Sequence, residues 1–411
     1  MKPRERLLTA LNHEEPDKIP VDFSGHLSSG ISAIAYKRLK DHLGITSGDI
    51  YVHDIIQQIA VVEPPVLDRF QVDAVQLGRG FGKDPSYWRD WTLPDGTPCK
   101  VPAHINLGKE GDDWHIYSPE GEPIAVLRKG SLYFEQTRWP YFEKDDDDFS
   151  DLEEAMGEIV WAQAPGPPAP LAFDDERLER GAREFYESTD RAVAGIFGGN
   201  LNEFGQFFFR MDNFFMELAG NPDRMHKFLD CLVEFHLANL RKYLSAVGDY
   251  IDIIQFGDDL GTQQGPQMSR EMYDKFFKPR HERLFQTAKE LADVKTMLHC
   301  CGGVRELLPS LIDAGLDIIN PVQTTARGME AEALKRDFGD RIVLWGGGCD
   351  TQGVLGDGTP DEVREHVKEQ IDVLAPGGGF VFQQIHNIQA NVPPENIVAM
   401  FDTVNEYRYG E

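Results

Sequence analysis

From residue 190 onward the chain repeats one pattern. A short apolar run stops at glycine or a polar residue, and a stretch of amphipathic helical periodicity follows. The runs are RAVAGIFGG, IDIIQFGDDLG, TMLHCCGG, LDIINPV, RIVLWGGG and FVFQQIH. Helical patterns separate them, among them residues 222–247, 269–292, VRELLPSLIDAG, ARGMEAEALKRDFG and TPDEVREHVKEQIDVL, where Thr359 and Pro360 read as N-cap and first helical residue. PPENIVAMFDTVNEYR closes the chain as a helix. Alternation of this kind builds an α/β fold on a parallel sheet.

The first half adds two more strands. A helix over residues 3–12, carrying Leu7, Leu8 and Leu11 on one side, precedes the strand IPVDFSG. A helix over 31–43 ends at Gly44, another covers 63–71, and VDAVQLG (72–78) is the second strand. Eight strands, mostly followed by helices, predict a (β/α)8 TIM barrel, with functional residues at the strand C-termini. A doubly wound open sheet is the alternative, and it would need a ligand crevice at a switch in strand order. Residues 80–145, rich in Trp, Tyr, Pro, Gly and Asp, read as a small β-rich insertion of hairpins within a single barrel domain spanning 1–411. APGPPAPLAF (164–173) reads as a stiff connector.

The chemistry concentrates in TMLHCCGG. Side chains alternate along a strand, so His299 and Cys301 share a face while Cys300 points into the core. Cys349, in IVLWGGGCD, also follows an apolar run that stops at glycines. Imidazole with two thiolates is a set that favours zinc, and three protein ligands leave the open position that a catalytic zinc needs. The competing reading is that these cysteines are small buried hydrophobes and His299 a satisfied core histidine. On a barrel, the distance in sequence is no obstacle, because both strand ends share a rim. The glycine runs fit neither a dinucleotide fingerprint nor a P-loop, and read as clearance beside a bound metal or substrate. The same rim presents Glu203, Asp258, Asp259, Asn320, His386 and Asn387. Of these, Glu203, Asp259 and His386 are the candidate catalytic groups, against a competing reading of local caps and turns.

Charge narrows the partners. The formal balance of 41 basic and 69 acidic residues, −28, repels nucleic acid and anionic membranes. The acidic run Glu143–Asp148 reads as a solvated loop. Five cysteines without a disulfide framework suit a reducing compartment, and the N-terminus lacks the apolar core of a signal peptide. A cytoplasmic protein is expected.

MKPRERLLTALNHEEPDKIPV, HCCGG, LIDAGLDIINPVQ, WGGGCDTQGVLGDGTPDEV and HNIQANVPPENIVAMF together resemble the uroporphyrinogen decarboxylase superfamily, and within it the zinc-dependent, corrinoid-linked methyltransferase branch. The resemblance implies a (β/α)8 barrel. It implies zinc held by His299, Cys301 and Cys349, and a corrinoid (cobalamin) carried by a separate partner protein. The implied activity is methyl transfer between that corrinoid and a small molecule, either a methoxylated aromatic donor or a thiol or pterin acceptor. Decarboxylases of the superfamily carry an Arg-Gln-Ala-Gly-Arg element after the first strand; residues 19–35 here hold no arginine. The alternatives are decarboxylation of another substrate, or a zinc hydrolase or non-catalytic barrel in which Glu203 closes the metal's coordination. Phe204, Phe207, Phe208 and Phe209 are read either as core or as a surface for a flat apolar ligand.

Overall fold

The computed structural model describes residues 1–77, 85–163 and 175–409. Seven parallel strands form one curled sheet in chain order: β1 (Ala74–Leu77), β2 (Ala192–Gly198), β3 (Ile253–Gly257), β4 (Lys295–His299), β5 (Ile318–Asn320), β6 (Val343–Trp345) and β7 (Phe380–Val381). The eighth expected strand, IPVDFSG, is reduced to a single parallel bridge, Val21 to Phe382. It nonetheless lies between the sheet's two edges. Phe382 N–H donates to Pro20 O at 2.9 Å and Asp22 N–H to Phe382 O at 2.8 Å, while Asp73 N–H, just before β1, donates to Val21 O at 2.7 Å. The architecture is α/β and TIM-like.

Alternation sorts the side chains into two apolar clusters. Ala194, Ile196, Ile253, Met297, Ile318, Val343, Trp345 and Val381 point inward and pack together with Leu7 and Leu11 of helix α1 (Pro3–Leu11). Their neighbours Val193, Ile254, Leu298, Ile319, Leu344 and Phe380 face the helices. Helix α1 meets the strand starts, where buried Arg6 Nη1 lies 2.6 Å from Asp73 Oδ1. The apolar plug therefore occupies the N-terminal end of the strands. Polar side chains are left for the C-terminal end, where barrel sites form.

Elsewhere the structure refines the expectations. Residues 270–291 form two helices, Arg270–Phe276 and Lys278–Leu291, because Pro279 lacks the N–H that a continuous helix requires. The aromatic stretch after Glu203 is also helical, Asn202–Phe209 and Met211–Gly220, with Arg210 at φ +66° between them. Phe208 and Phe209 are fully buried, with Tyr141 stacked at 4.7 Å on Phe208, so those two belong to the core. Thr359 caps its helix as expected, Glu362 returning a bond to the Thr359 N–H at 2.7 Å.

The insertion is antiparallel, as expected, over its described part. It has a hairpin of Trp88–Thr92 and Pro98–Pro102 and a four-stranded sheet from Leu107 to Gln136. Its first residues, 80–84, and the proline-rich connector 164–173 lie outside the described residues. The acidic run 143–148 is a surface loop, with Asp147 paired to Lys227 and Asp146 to Lys144. Among the described residues, no helix is long and apolar enough to cross a membrane.

Candidate metal centre

β4 ends at His299, and the strand's alternation carries one step further. Cys301 follows on the His299 face, with its Sγ 3.4 Å from His299 Nε2. Cys300 turns away, fully buried in the outer core, where its Sγ accepts the Leu260 N–H at 3.3 Å. The turn after Cys301 needs Gly302, at φ +86°, because the loop after β3 crosses it. A Cβ there would stand 2.4 Å from the Gly261 carbonyl carbon. The glycine clearance expected for a metal or substrate is thus filled, at Gly302, by the protein's own backbone.

His386 completes the cluster. Ligand atoms of His299, Cys301 and His386 all lie within 4.8 Å of one another. The His299 and His386 ring centroids are 5.7 Å apart. His386 arrives on the extension of β7, where Gly348 N–H donates to Gln383 O at 2.9 Å and Ile385 N–H to Cys349 O at 2.8 Å. Cys349 runs alongside through its backbone, but its thiol is not among the clustered ligand atoms; it is fully buried with the apolar residues. Gly346 and Gly347, at φ +106° and +81°, interrupt the strand between Trp345 and Cys349, so the facing of β6 does not carry through to the cysteine.

The second ring nitrogen of His299 is held from inside the barrel. Its Nδ1 lies 3.1 Å from Asn320 Oδ1, which also accepts the Ser28 hydroxyl at 3.0 Å. The Asn320 amide donates to Gln383 Oε1 at 2.8 Å and to Trp345 O at 3.1 Å. Ser28 in turn lies 3.1 Å from His26 Nδ1, and Trp345 Nε1–H donates to Asp22 Oδ2 at 2.9 Å. With Asn320 as acceptor, Nδ1 carries the proton and Nε2 presents its lone pair beside Cys301. This is the arrangement that fixes a ligating histidine.

Three carboxylates stand behind the cluster, with different tasks. Asp258 accepts the N–H groups of Asn202 and Glu203 at 2.9 Å each, capping that helix, and lies 3.2 Å from buried His281 Nε2. Asp259 accepts the Cys301 N–H at 2.7 Å and stands 3.9 Å from His299 Nε2. Glu203 accepts the Asp259 N–H at 3.0 Å. Burial, and then the neighbouring Asp259 and Asp258, push the Glu203 carboxyl well above its ordinary range. Burial also lowers His299, and takes His386 down to about 4 with help from the nearby His299 ring. It raises the Cys301 thiol, with Asp259 adding to the effect.

Two neutral imidazoles and a thiol fit a zinc ion. Zn–N near ~2.0 Å and Zn–S near ~2.3 Å at a tetrahedral angle imply a donor separation of roughly 3.5 Å, and the observed N–S separation is 3.4 Å.

The sequence expectation placed His299 and Cys301 in a metal site with Cys349, and took His386, with Glu203 and Asp259, as a candidate catalytic group; the structure brings His386 to the first two. Asp22, His26 and Ser28, in and just after the segment expected to be the first strand, were not among the expected site residues. Tyr133 of the insertion is a further addition: its hydroxyl donates to Asn387 Oδ1 at 3.2 Å, beside His386.

The family model for uroporphyrinogen decarboxylase (URO-D) matches residues 205–407. Among curated relatives, the methylcobamide:CoM methyltransferase MtbA of Methanosarcina acetivorans is 26% identical over 202 residues, 48% of this chain and 54% of that protein. A uroporphyrinogen decarboxylase of Alkalilimnicola ehrlichii is 26% identical over 199 residues, 47% and 50% of the two chains. The chain thus spans about half the length of the curated relatives it matches. Among solved structures, a methyltransferase from Methanosarcina mazei superposes with a TM-score of 0.59 at 18% identity, covering 99% of both chains, a likeness of fold.

Proposed function

From the match of residues 205–407 to the uroporphyrinogen decarboxylase family model and the likeness to a methylcobamide:CoM methyltransferase, we propose that the chain is a zinc-dependent methyltransferase moving a methyl group between a small molecule and a corrinoid carried by a separate protein. The observation that carries this reading is the pairing of His299 Nε2 with Cys301 Sγ at 3.4 Å, with a third donor in reach, at the C-terminal end of the strands. When bound, zinc supplies Lewis acidity without redox chemistry of its own.

The protein's residues do the rest. Asn320 holds the His299 ring so that Nε2 faces the site. Asp259 fixes the Cys301 backbone. Burial and its acidic neighbours hold the Glu203 carboxyl well above its ordinary range, and that carboxyl accepts the Asp259 backbone N–H at 3.0 Å. In this reading it serves as the reservoir for a leaving group that gains a proton. The apolar plug below the cluster keeps water out of the barrel's lower half.

The second reading is decarboxylation, which the uroporphyrinogen decarboxylases among the curated relatives favour. Against the porphyrinogen itself stands segment 19–35, which contributes Asp22, His26 and Ser28 to the barrel and holds no arginine. The separating experiment has two arms. Zinc-loaded protein is mixed with cob(I)alamin and a panel of methoxylated aromatics, and the methylcob(III)alamin spectrum is followed. In parallel, uroporphyrinogen is assayed for conversion to coproporphyrinogen. Methylation that disappears in C301A supports methyl transfer; porphyrinogen turnover in its place overturns it.

A further inference from the structure

We infer that the third protein donor to the metal is the His386 imidazole, and that the site consequently serves a substrate whose methyl group leaves oxygen, in preference to a thiol acceptor. This rests on the metal reading above. It departs from the sequence-based expectation, in which Cys349 supplies a second thiolate.

The geometry separates the two candidates. His386 has a ring nitrogen in the same 4.8 Å cluster as His299 Nε2 and Cys301 Sγ, and Cys349 Sγ is outside it. Cys349 is fully buried among apolar side chains, while His386 and Cys301 are both only partly buried. The segment carrying His386 is also braced. Asn387 Nδ2–H donates to Gln57 Oε1 at 2.8 Å, and Asn387 Oδ1 accepts from Tyr133 at 3.2 Å and from Gln389. Gln57 is tied in turn to Asp54 Oδ2 at 2.9 Å, and the insertion is pinned there by the Phe134 N–H to Ile56 O bond at 3.0 Å. Two regions far apart in sequence thus hold the backbone beside the third donor, as a ligand's support does.

The substitution of imidazole for thiolate changes the charge of the centre. One thiolate and two neutral imidazoles around a divalent zinc leave a net charge of one positive unit, where two thiolates would leave none. A more positive, less sulfur-rich centre is the harder Lewis acid and favours oxygen over sulfur. The transfer that fits is from an aryl or alkyl methyl ether. The O–CH3 bond breaks with its electron pair left on oxygen, and the oxygen takes a proton. The methyl passes to a two-electron-reduced corrinoid cobalt, whose own electron pair makes the new cobalt–carbon bond. Cobalt is formally oxidised by two electrons, and no other oxidant is consumed.

X-ray absorption on the zinc-loaded full chain tests the ligand set without turnover, because sulfur and nitrogen scatter at resolvable distances, about 2.3 and about 2.0 Å. One sulfur in the wild type, one in C349A and two in H386C is the expected series, with zinc affinity in H386A falling more than tenfold. Circular dichroism verifies that each variant is folded, and H386C restores a donor where H386A removes one. Two sulfurs in the wild type, or a count of one in H386C, overturns the assignment of His386 while leaving the metal reading intact. A folded wild type that retains no zinc overturns both. The oxygen preference is read by comparing 2-methoxyphenol plus cob(I)alamin with methylcob(III)alamin plus 2-mercaptoethanol. The first is expected to run at least tenfold faster; equal rates or the reverse order overturn that preference.

Discussion

Two strand ends in this molecule look alike in sequence and behave differently. LHCCGG and LWGGGCD both join an apolar run, a cluster of glycines and a cysteine. In the first, the cysteines come before the glycines, while the strand's alternation still holds. Cys301 therefore inherits the inward face of His299, and Cys300 the outward one. In the second, the glycines come first. Two positive-φ residues lie between Trp345 and Cys349, and the thiol ends up sealed among apolar side chains. Order within the motif decides which thiol is available, because periodicity transmits a facing only through regular backbone.

The sharpest way to break this comparison is to remove each thiol. C301A is expected to lose zinc affinity by more than the roughly 10–100-fold that loss of a supporting contact costs, and C349A to stay within a few-fold of wild type. Chelator competition measures both. Equal losses would place the two cysteines on the same footing.

The next effect belongs to the backbone. Gly302→Ala combines φ +86° with a Cβ 2.4 Å from backbone, whereas Gly347→Ala combines φ +81° with a Cβ 2.9 Å from the Val322 carbonyl oxygen. Denaturant unfolding should show a loss of about 3 kcal/mol or more for the first and about 1–2 kcal/mol for the second. Only the first should also impair metal binding.

Asn320→Ala comes third. It leaves the His299 Nδ1–H and the Ser28 hydroxyl without their shared acceptor. A 10–100-fold loss of zinc affinity and a stability cost of about 1–3 kcal/mol are expected. Titration calorimetry and thermal unfolding separate the two. Unchanged affinity would show that the ring needs no orienting partner.

The smallest effect is at Cys300. Its replacement by alanine should cost of order 1 kcal/mol and leave metal content unchanged, since its sulfur is packed in the outer core and accepts the Leu260 N–H. Loss of metal in C300A would mean that the alternation through residues 299–301 is misassigned.

Much of the fold was legible because several of its strands are continuous apolar runs, and such runs have few other uses at that length. Residues 192–198 and 343–345 are examples. The strand at Val21 was legible as a strand but not as a single bridge, since its pairing depends on Asp73 and Phe382, both more than fifty residues further along the chain. The break before Pro279 was written in the sequence, but the amphipathic pattern continues on either side of it and reads as one helix. At the site, His299 and Cys301 could be paired because they are two residues apart. Ser28 and Asn320, 292 positions apart, carried no signal of their contact.

The chain's local chemistry, then, determined where strands and helices form, that the fold is α/β, and that an imidazole and a thiol share one face at a strand end. Those are properties of period and residue type over a few positions. Tertiary structure alone decided that His386 reaches the pair, that Cys349 is sealed away, and that Asn320 and Ser28 point the lone pair of His299 into the site. These depend on how the sheet curls and where its extensions run past the last regular bond. No local pattern encodes them, because each contact joins residues whose separation in the chain exceeds any period it contains.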